Sequence, residues 1–182
     1  LVAMIPMSVR TNEQVGTFGN RVSTMLTTIP THLADPQARL LFAHERLVHA
    51  KQRHQAVPAT MLQDANNVIP PALFARAARV TSAVNTTGLV RTPVNVVISN
   101  VPGSPVPMYL AGARQEAMFP LSAIMDGCAL NITVMSYCGG LDFGVVIDRD
   151  VADEAWPLIE GLAAAQAELV ALVGPAPTPT PT

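Results

Sequence analysis

Charge is scarce in this 182-residue chain: Asp, Glu, Lys and Arg make up 13% of it, about half of the ~25% found in an average soluble domain. Aromatic residues are also few, at 4%, and there are two cysteines and a single lysine, Lys51. Each shortage excludes something. With 11 basic against 13 acidic residues, a net charge of -2 and scattered arginines, no basic stripe exists to follow a phosphate backbone, so nucleic acid is excluded as a partner. Cys128 and Cys138 cannot build a disulfide framework and lack CxxC or Cys/His ligand spacing; they read as buried thiols in a reducing compartment. The hydrophobic content of 49% is ordinary, which excludes disorder for most of the chain.

No segment reads as a membrane anchor or a signal peptide. The longest uncharged stretch, 92–113, contains Pro93, Pro102, Pro105 and Pro107 with Asn95 and Asn100, so it cannot be a lipid-exposed helix. The opening LVAMIPMSVR has no charged leader and no cleavage site, and reads as a half-buried strand.

The length suits one domain, expected over residues 1–173, followed by a Pro/Thr tail, 174–182, whose lack of apolar periodicity reads as disorder. Strands are expected over 2–9 and 20–29. Asp35-Pro36 is a helix start, because Asp accepts from orphan amides and Pro at the first helical position loses nothing. Leu40, Leu41, His44, Leu47, Val48 and Lys51 recur at helical spacing, which predicts that this side of a helix over 35–55 faces a core. Pro58 and Pro70-Pro71 open two further helical segments. From Val94 onward the character is β: VNVVIS, PMYLAGA, EAMFPLS, LNITVMSYC and LDFGVVIDR are separated by loops, with Gly139-Gly140 as a hairpin turn. A last helix from about Asp153, striped by Leu158, Leu162, Ala165, Leu169 and Leu172, is expected to dock on the sheet.

Several motifs fail in context. Of the four histidines, His44, His49 and His54 lie five residues apart, about 140° around a helix, so they cannot converge on one ion and no metal site is expected. Asp142-Phe143-Gly144 has no accompanying phosphate loop, and Gly103-Ser104-Pro105 is not a nucleophile elbow. The aspartates Asp148, Asp150 and Asp153 suit capping and turns. Asn131 is more informative. With Thr133 it shares one face of an otherwise apolar strand, where a buried carboxamide either pins a neighbouring loop or lines a cavity.

The stretches IPMSVR, VGTFGNRVS, ADPQARL, PVNVVISNVPGSPVPMYLAGA, MFPLS and GCALNITVMSYCGGLDFGVVIDR, in this order, resemble the C-terminal half of the bacterial wax ester synthase/diacylglycerol acyltransferase family, especially its actinobacterial triacylglycerol synthases. The resemblance implies an α/β chloramphenicol acetyltransferase-like fold, a mixed sheet flanked by helices forming one half of a two-domain acyltransferase. It implies transfer of an acyl group from acyl-CoA, a co-substrate, to diacylglycerol or a long-chain alcohol, with no other cofactor. The family's HHxxxDG base lies in the first half and is not in this chain. Isolated, the chain is therefore expected to be inactive, with the N-terminal half of the same protein as its partner.

By motif position, the resemblance makes Asn131, Thr133 and Ser136, with Asn100 and Gly103, the candidate substrate-lining residues. The wider superfamily implies a scaffold ion pair for the aspartate of the DFG stretch, which assigns Asp142 and Arg149 a structural role. A cytoplasmic location, peripheral to a membrane or lipid bodies, follows from the family's insoluble products. The alternative is a non-catalytic lipid-binding or interaction module of the same fold. Either way the low charge implies an apolar surface that the rest of the protein, or another copy, would cover.

Overall fold

A computed structural model describes residues 1–8, 22–56, 94–125 and 127–173. The expected helical segments after Pro58 and Pro70-Pro71, and the tail from 174, lie outside the described residues.

Seven strands and two helices are described: β1 Val2–Ser8, β2 Val22–Thr28, α1 Pro36–Ala56, β3 Val96–Pro102, β4 Tyr109–Leu110, β5 Ala113–Arg114, β6 Leu130–Tyr137, β7 Gly140–Ile147 and α2 Trp156–Val173. Five strands form one mixed sheet in the order β2-β1-β3-β6-β7, and β4 and β5 form a separate two-stranded sheet. The pairs β1–β3 and β3–β6 are parallel, whereas β1–β2 and β6–β7 are antiparallel. The fold class expected from the resemblance is the observed one.

The central strand carries the core. Val96 and Val97 of β3 are both buried and point to opposite faces, as a central strand covered on both sides requires. Pro6 in β1 is tolerated because pairing with β3 is confined to Ala3 and Met4, so its missing N–H costs no bond on that side. Asn95 closes the entry to β3: its Oδ1 accepts the Val2 N–H at 2.7 Å and its own N–H donates to the Val2 carbonyl at 2.9 Å.

Helix α1 begins as the sequence predicts. Asp35 Oδ2 accepts the Ala38 N–H at 2.6 Å, with Pro36 in the first turn. The face it buries is different. Leu40, Leu41, His44, Leu47, Val48 and Lys51 are exposed, while Ala50 is buried and Phe42 and Ala43 are half-buried. Small alanines let the helix approach β2, where Met25 is the buried residue, and the bulkier leucine stripe is turned away.

Helix α2 lies against α1, where Arg39 Nη2 and Glu168 Oε2 are 2.8 Å apart. Its stripe of Leu158, Leu162, Ala165 and Leu169 is half-buried, and none of its residues is fully buried. By length and composition alone α2, with a mean hydropathy of 1.3, could cross a membrane, a feature not singled out from the sequence.

The β6–β7 turn is shifted by one residue from the expected Gly139-Gly140. Cys138 and Gly139 have φ of 47° and 84°, the two positive values of a type I′ turn, and Gly140 already pairs with Tyr137.

Candidate functional site

The period of two along β6 places Asn131, Thr133, Met135 and Tyr137 on one face of the sheet. Register across β7 adds Val146, Gly144, Asp142 and Gly140 to that face. Over it runs the stretch 115–125, expected as a strand from EAMFPLS but found as an extended strap that forms no ladder with the sheet. Side chains and one glycine hold it instead.

The strap follows β6–β7 lengthwise from the turn. At its start, Tyr137 Oη donates to the Gln115 carbonyl at 2.8 Å and accepts the Met108 N–H at 2.9 Å, tying down the base of the β4–β5 hairpin. Next, Asp142 Oδ2 accepts the Met118 N–H at 2.7 Å. Pro120 then passes so close to Gly144 that a Cβ there would overlap the Pro120 carbonyl. Finally Thr133 Oγ1 lies 2.8 Å from Ser122 Oγ and 3.0 Å from Asn131 Oδ1, and Asn131 Nδ2 donates to the Ala123 carbonyl at 2.9 Å. Asn131 and Thr133 are 5% and 2% exposed, so these partners satisfy groups that burial would otherwise leave costly.

The remaining candidates lie elsewhere. Asn100 and Ser136 have the opposite parity to Asn131 and Thr133, since Asn100 is opposite Val134 and Ser136 opposite Pro102. Together with Gly103 they stand at the C-terminal ends of the parallel strands β3 and β6, where open α/β sheets place ligands. Ser136 Oγ accepts the Gly103 N–H at 3.2 Å, and a Cβ on Gly103 would overlap the Ser136 carbonyl, so glycine is required for the loop to approach β6. Asn100 is exposed and its carboxamide has no partner among the described residues. The five candidates thus separate into a buried pair under the strap and a cluster at the strand ends.

Asp142 and Arg149 do not form the expected ion pair. The ion pairs among the described residues are Arg39–Glu168 and Arg114–Glu116, and Arg149 is exposed after β7. Asp142 faces the strap and spends its carboxylate on a backbone amide. Cys128 is buried, but Cys138 is exposed in the turn, contrary to its reading as a buried thiol. Among the described residues no group of three His, Cys, Asp or Glu could hold a metal. Sequence reasoning missed Tyr137, although its spacing of four and six residues from Thr133 and Asn131 already put it on their face.

A five-stranded mixed sheet, strapped on one face and followed by a terminal helix, defines an α/β half-domain of the chloramphenicol acetyltransferase-like class. Residues 18–169 match the WS/DGAT C-terminal domain, and the chain belongs to that family. It is 37% identical over 175 residues to a Mycobacterium tuberculosis protein named as a diacylglycerol O-acyltransferase, covering 96% of this chain and 38% of that protein. It is 30% identical to the O-acyltransferase WSD of Acinetobacter baylyi, covering 93% of this chain and 37% of that protein. Among solved structures, the wax ester synthase/diacylglycerol acyltransferase from Marinobacter aquaeolei VT8 superposes with a TM-score of 0.63 at 30% identity, over 93% of this chain and 36% of that one. The chain therefore spans little more than a third of the length of these relatives.

Proposed function

We propose that this chain is the C-terminal half of an O-acyltransferase that moves an acyl group from acyl-CoA to diacylglycerol or a long-chain alcohol. The observation that carries the reading is membership of the WS/DGAT C-terminal domain family together with relatives named for that activity. The half lines the substrate tunnel. The histidine base of HHxxxDG comes from the other half and takes the proton of the acceptor hydroxyl as it attacks the thioester carbonyl.

This chain's own contribution is shape and polarity. Its strap fixes one wall, held by Asn131, Thr133, Asp142 and Tyr137. At the ends of β3 and β6, the carboxamide of Asn100, exposed and without a partner among the described residues, is placed to donate to a substrate oxygen, beside Ser136 and Gly103. Acyl-CoA is a co-substrate and no resident cofactor is invoked. The protein works in the cytoplasm, peripheral to a membrane or lipid bodies.

The test is an acyl-transfer assay with labelled acyl-CoA and either acceptor, on the full-length protein and on this chain alone. Product from the full-length protein, with none from the isolated chain, supports the reading. Transfer by the chain unaided overturns its division of labour. A full-length protein that binds acyl-CoA without turnover identifies a lipid-binding module instead.

A further inference from the structure

We infer that helix α2 seats the protein on a zwitterionic phospholipid surface, with the side that carries Trp156, Ile159, Ala163, Ala167 and Val170 lying in the interface. The inference deepens the proposed peripheral location and rests on that reading. It begins from a helix that is apolar on more than one side. Leu158, Leu162, Ala165 and Leu169 form its half-buried stripe. Trp156, Ile159, Ala163, Ala167 and Val170 recur at helical spacing on a second side, about 130° round the axis, and all of them are exposed. Trp156 and Val170 are 67% and 59% exposed.

A surface helix of a globular domain turns a polar side to water, whereas a helix that is apolar all round is buried or meets lipid. No residue of α2 is fully buried. Its 18 residues have a mean hydropathy of 1.3, and its charged residues are Glu160 and Glu168, with no Lys or Arg. The polar residues follow the second stripe. Gln166 and Glu160 fall at its two margins, about 20° beyond its outermost members, where side chains of a helix lying in an interface reach the headgroups. Glu168 lies farther round and is joined to Arg39 of α1. Held in this way, α2 presents one side to a surface and does not cross it. Trp156 ends the stripe, and its apolar ring with a polar N–H suits the headgroup boundary.

The charge pattern selects the lipid. With carboxylates and no basic residue, α2 has nothing to attract an anionic headgroup, and added anionic lipid repels Glu160. A zwitterionic surface makes no such demand and takes up the apolar side. A protein partner fits less well, because protein interfaces carry about one hydrogen bond per 100–200 Å². The stripe offers one side-chain donor, the Trp156 indole N–H, and no side-chain acceptor. Diacylglycerol and long-chain alcohols, the acceptors of the proposed reaction, dissolve in a phospholipid surface, so seating there brings the enzyme to them.

The experiment uses the full-length protein and phosphatidylcholine vesicles that are sedimented with whatever they bind. The paired variant Ile159→Gln/Val170→Gln is compared with the unsubstituted protein and with Val151→Gln, a control at an exposed apolar position outside the helix (69% exposed). The expected result is a partition coefficient at least tenfold lower for the paired variant and unchanged for the control. Binding should survive 1 M salt and weaken when part of the lipid is phosphatidylglycerol. Hydroxyl-radical footprinting of the unsubstituted protein, which needs no variant to fold, should show Trp156 oxidised readily in buffer and at least fivefold more slowly on vesicles. Equal partition of the paired variant and the unsubstituted protein overturns the inference, as does binding that grows with phosphatidylglycerol and is lost in salt. So does a Trp156 already protected without lipid, which indicates another part of the polypeptide, or a second copy where the protection rises with protein concentration. Acyl transfer to an acceptor supplied in detergent separates the two readings. Vesicle binding through α2 without transfer leaves the role of the helix standing and rejects the enzyme reading; transfer without such binding does the reverse.

Discussion

Pro120 and Gly144 meet backbone to backbone, with no space between them for a side chain. Glycine is needed at 144 for this approach, and the strap could not otherwise lie close enough for Asp142 and Thr133 to reach it. Gly144→Ala is therefore expected to lift the strap and to destabilise the domain by about 1–3 kcal/mol, the cost of overpacking a tight site. Gly161 in α2 is the contrast, because a Cβ there meets nothing within 4 Å. Gly161→Ala should stabilise by about 0.5–1 kcal/mol through helix propensity. Thermal midpoints of the two variants in the same background check both signs.

Tyr137→Phe removes one hydroxyl and two bonds, leaving the Met108 N–H and the Gln115 carbonyl without their partner. Because the ring is 6% exposed and remains in place, the expected loss is the hydrogen-bond part alone, about 1–3 kcal/mol. The effect should be local. Limited proteolysis is expected to cut within 106–116 faster in the variant, with the rest of the sheet retaining its protection.

Asn131, Thr133 and Ser122 act as one chain of hydrogen bonds. Asn131→Ala and Thr133→Val should each cost about 1–3 kcal/mol, since each leaves a buried partner unsatisfied. The double variant is expected to cost less than their sum, with a coupling of at least ~0.5 kcal/mol. Additive losses in urea unfolding would show that the two residues are independent.

Arg39 and Glu168 tie the helices at a half-exposed position, with side chains 38% and 53% exposed. Exposed pairs are weak. A double-mutant cycle on Arg39→Ala and Glu168→Ala should return at most about 1 kcal/mol, falling further in 1 M salt as screening shortens the range of the interaction.

What was legible in the sequence was whatever depended on local chemistry. Asp35-Pro36 fixed the start of α1, and the alternation in LNITVMSY gave β6 its faces. The acyltransferase family was legible from ordered motifs. The buried face of α1 was not, because Leu40, Leu41, Leu47 and Val48 have the same periodicity whether the surface they meet is in this chain or outside it. The strap was misread as a strand for a related reason. EAMFPLS alternates as a strand does, but its partners are side chains of Asp142 and Thr133, with Tyr137 and Asn131 holding the flanking Gln115 and Ala123, and these side chains are contiguous only after β6 and β7 have paired. The Asp142–Arg149 pair failed because the carboxylate faces the strap and has a nearer donor in the Met118 amide.

Asn100 provides the sharpest functional test of the strand-end cluster. Its side chain is exposed and hydrogen-bonds to no partner among the described residues, so Asn100→Ala in the full-length protein should change stability by no more than about 0.5 kcal/mol. If the carboxamide donates to the reacting carbonyl oxygen, kcat should fall on the order of 10²-fold with KM little altered, the signature of an interaction made in the transition state. Ser136→Ala should behave differently. It removes the acceptor for the Gly103 N–H, so a stability loss of about 0.5–1.5 kcal/mol is expected alongside any kinetic effect. Unchanged kcat and KM in a stable Asn100→Ala protein would remove Asn100 from the site and leave its position at the end of β3 without a catalytic consequence.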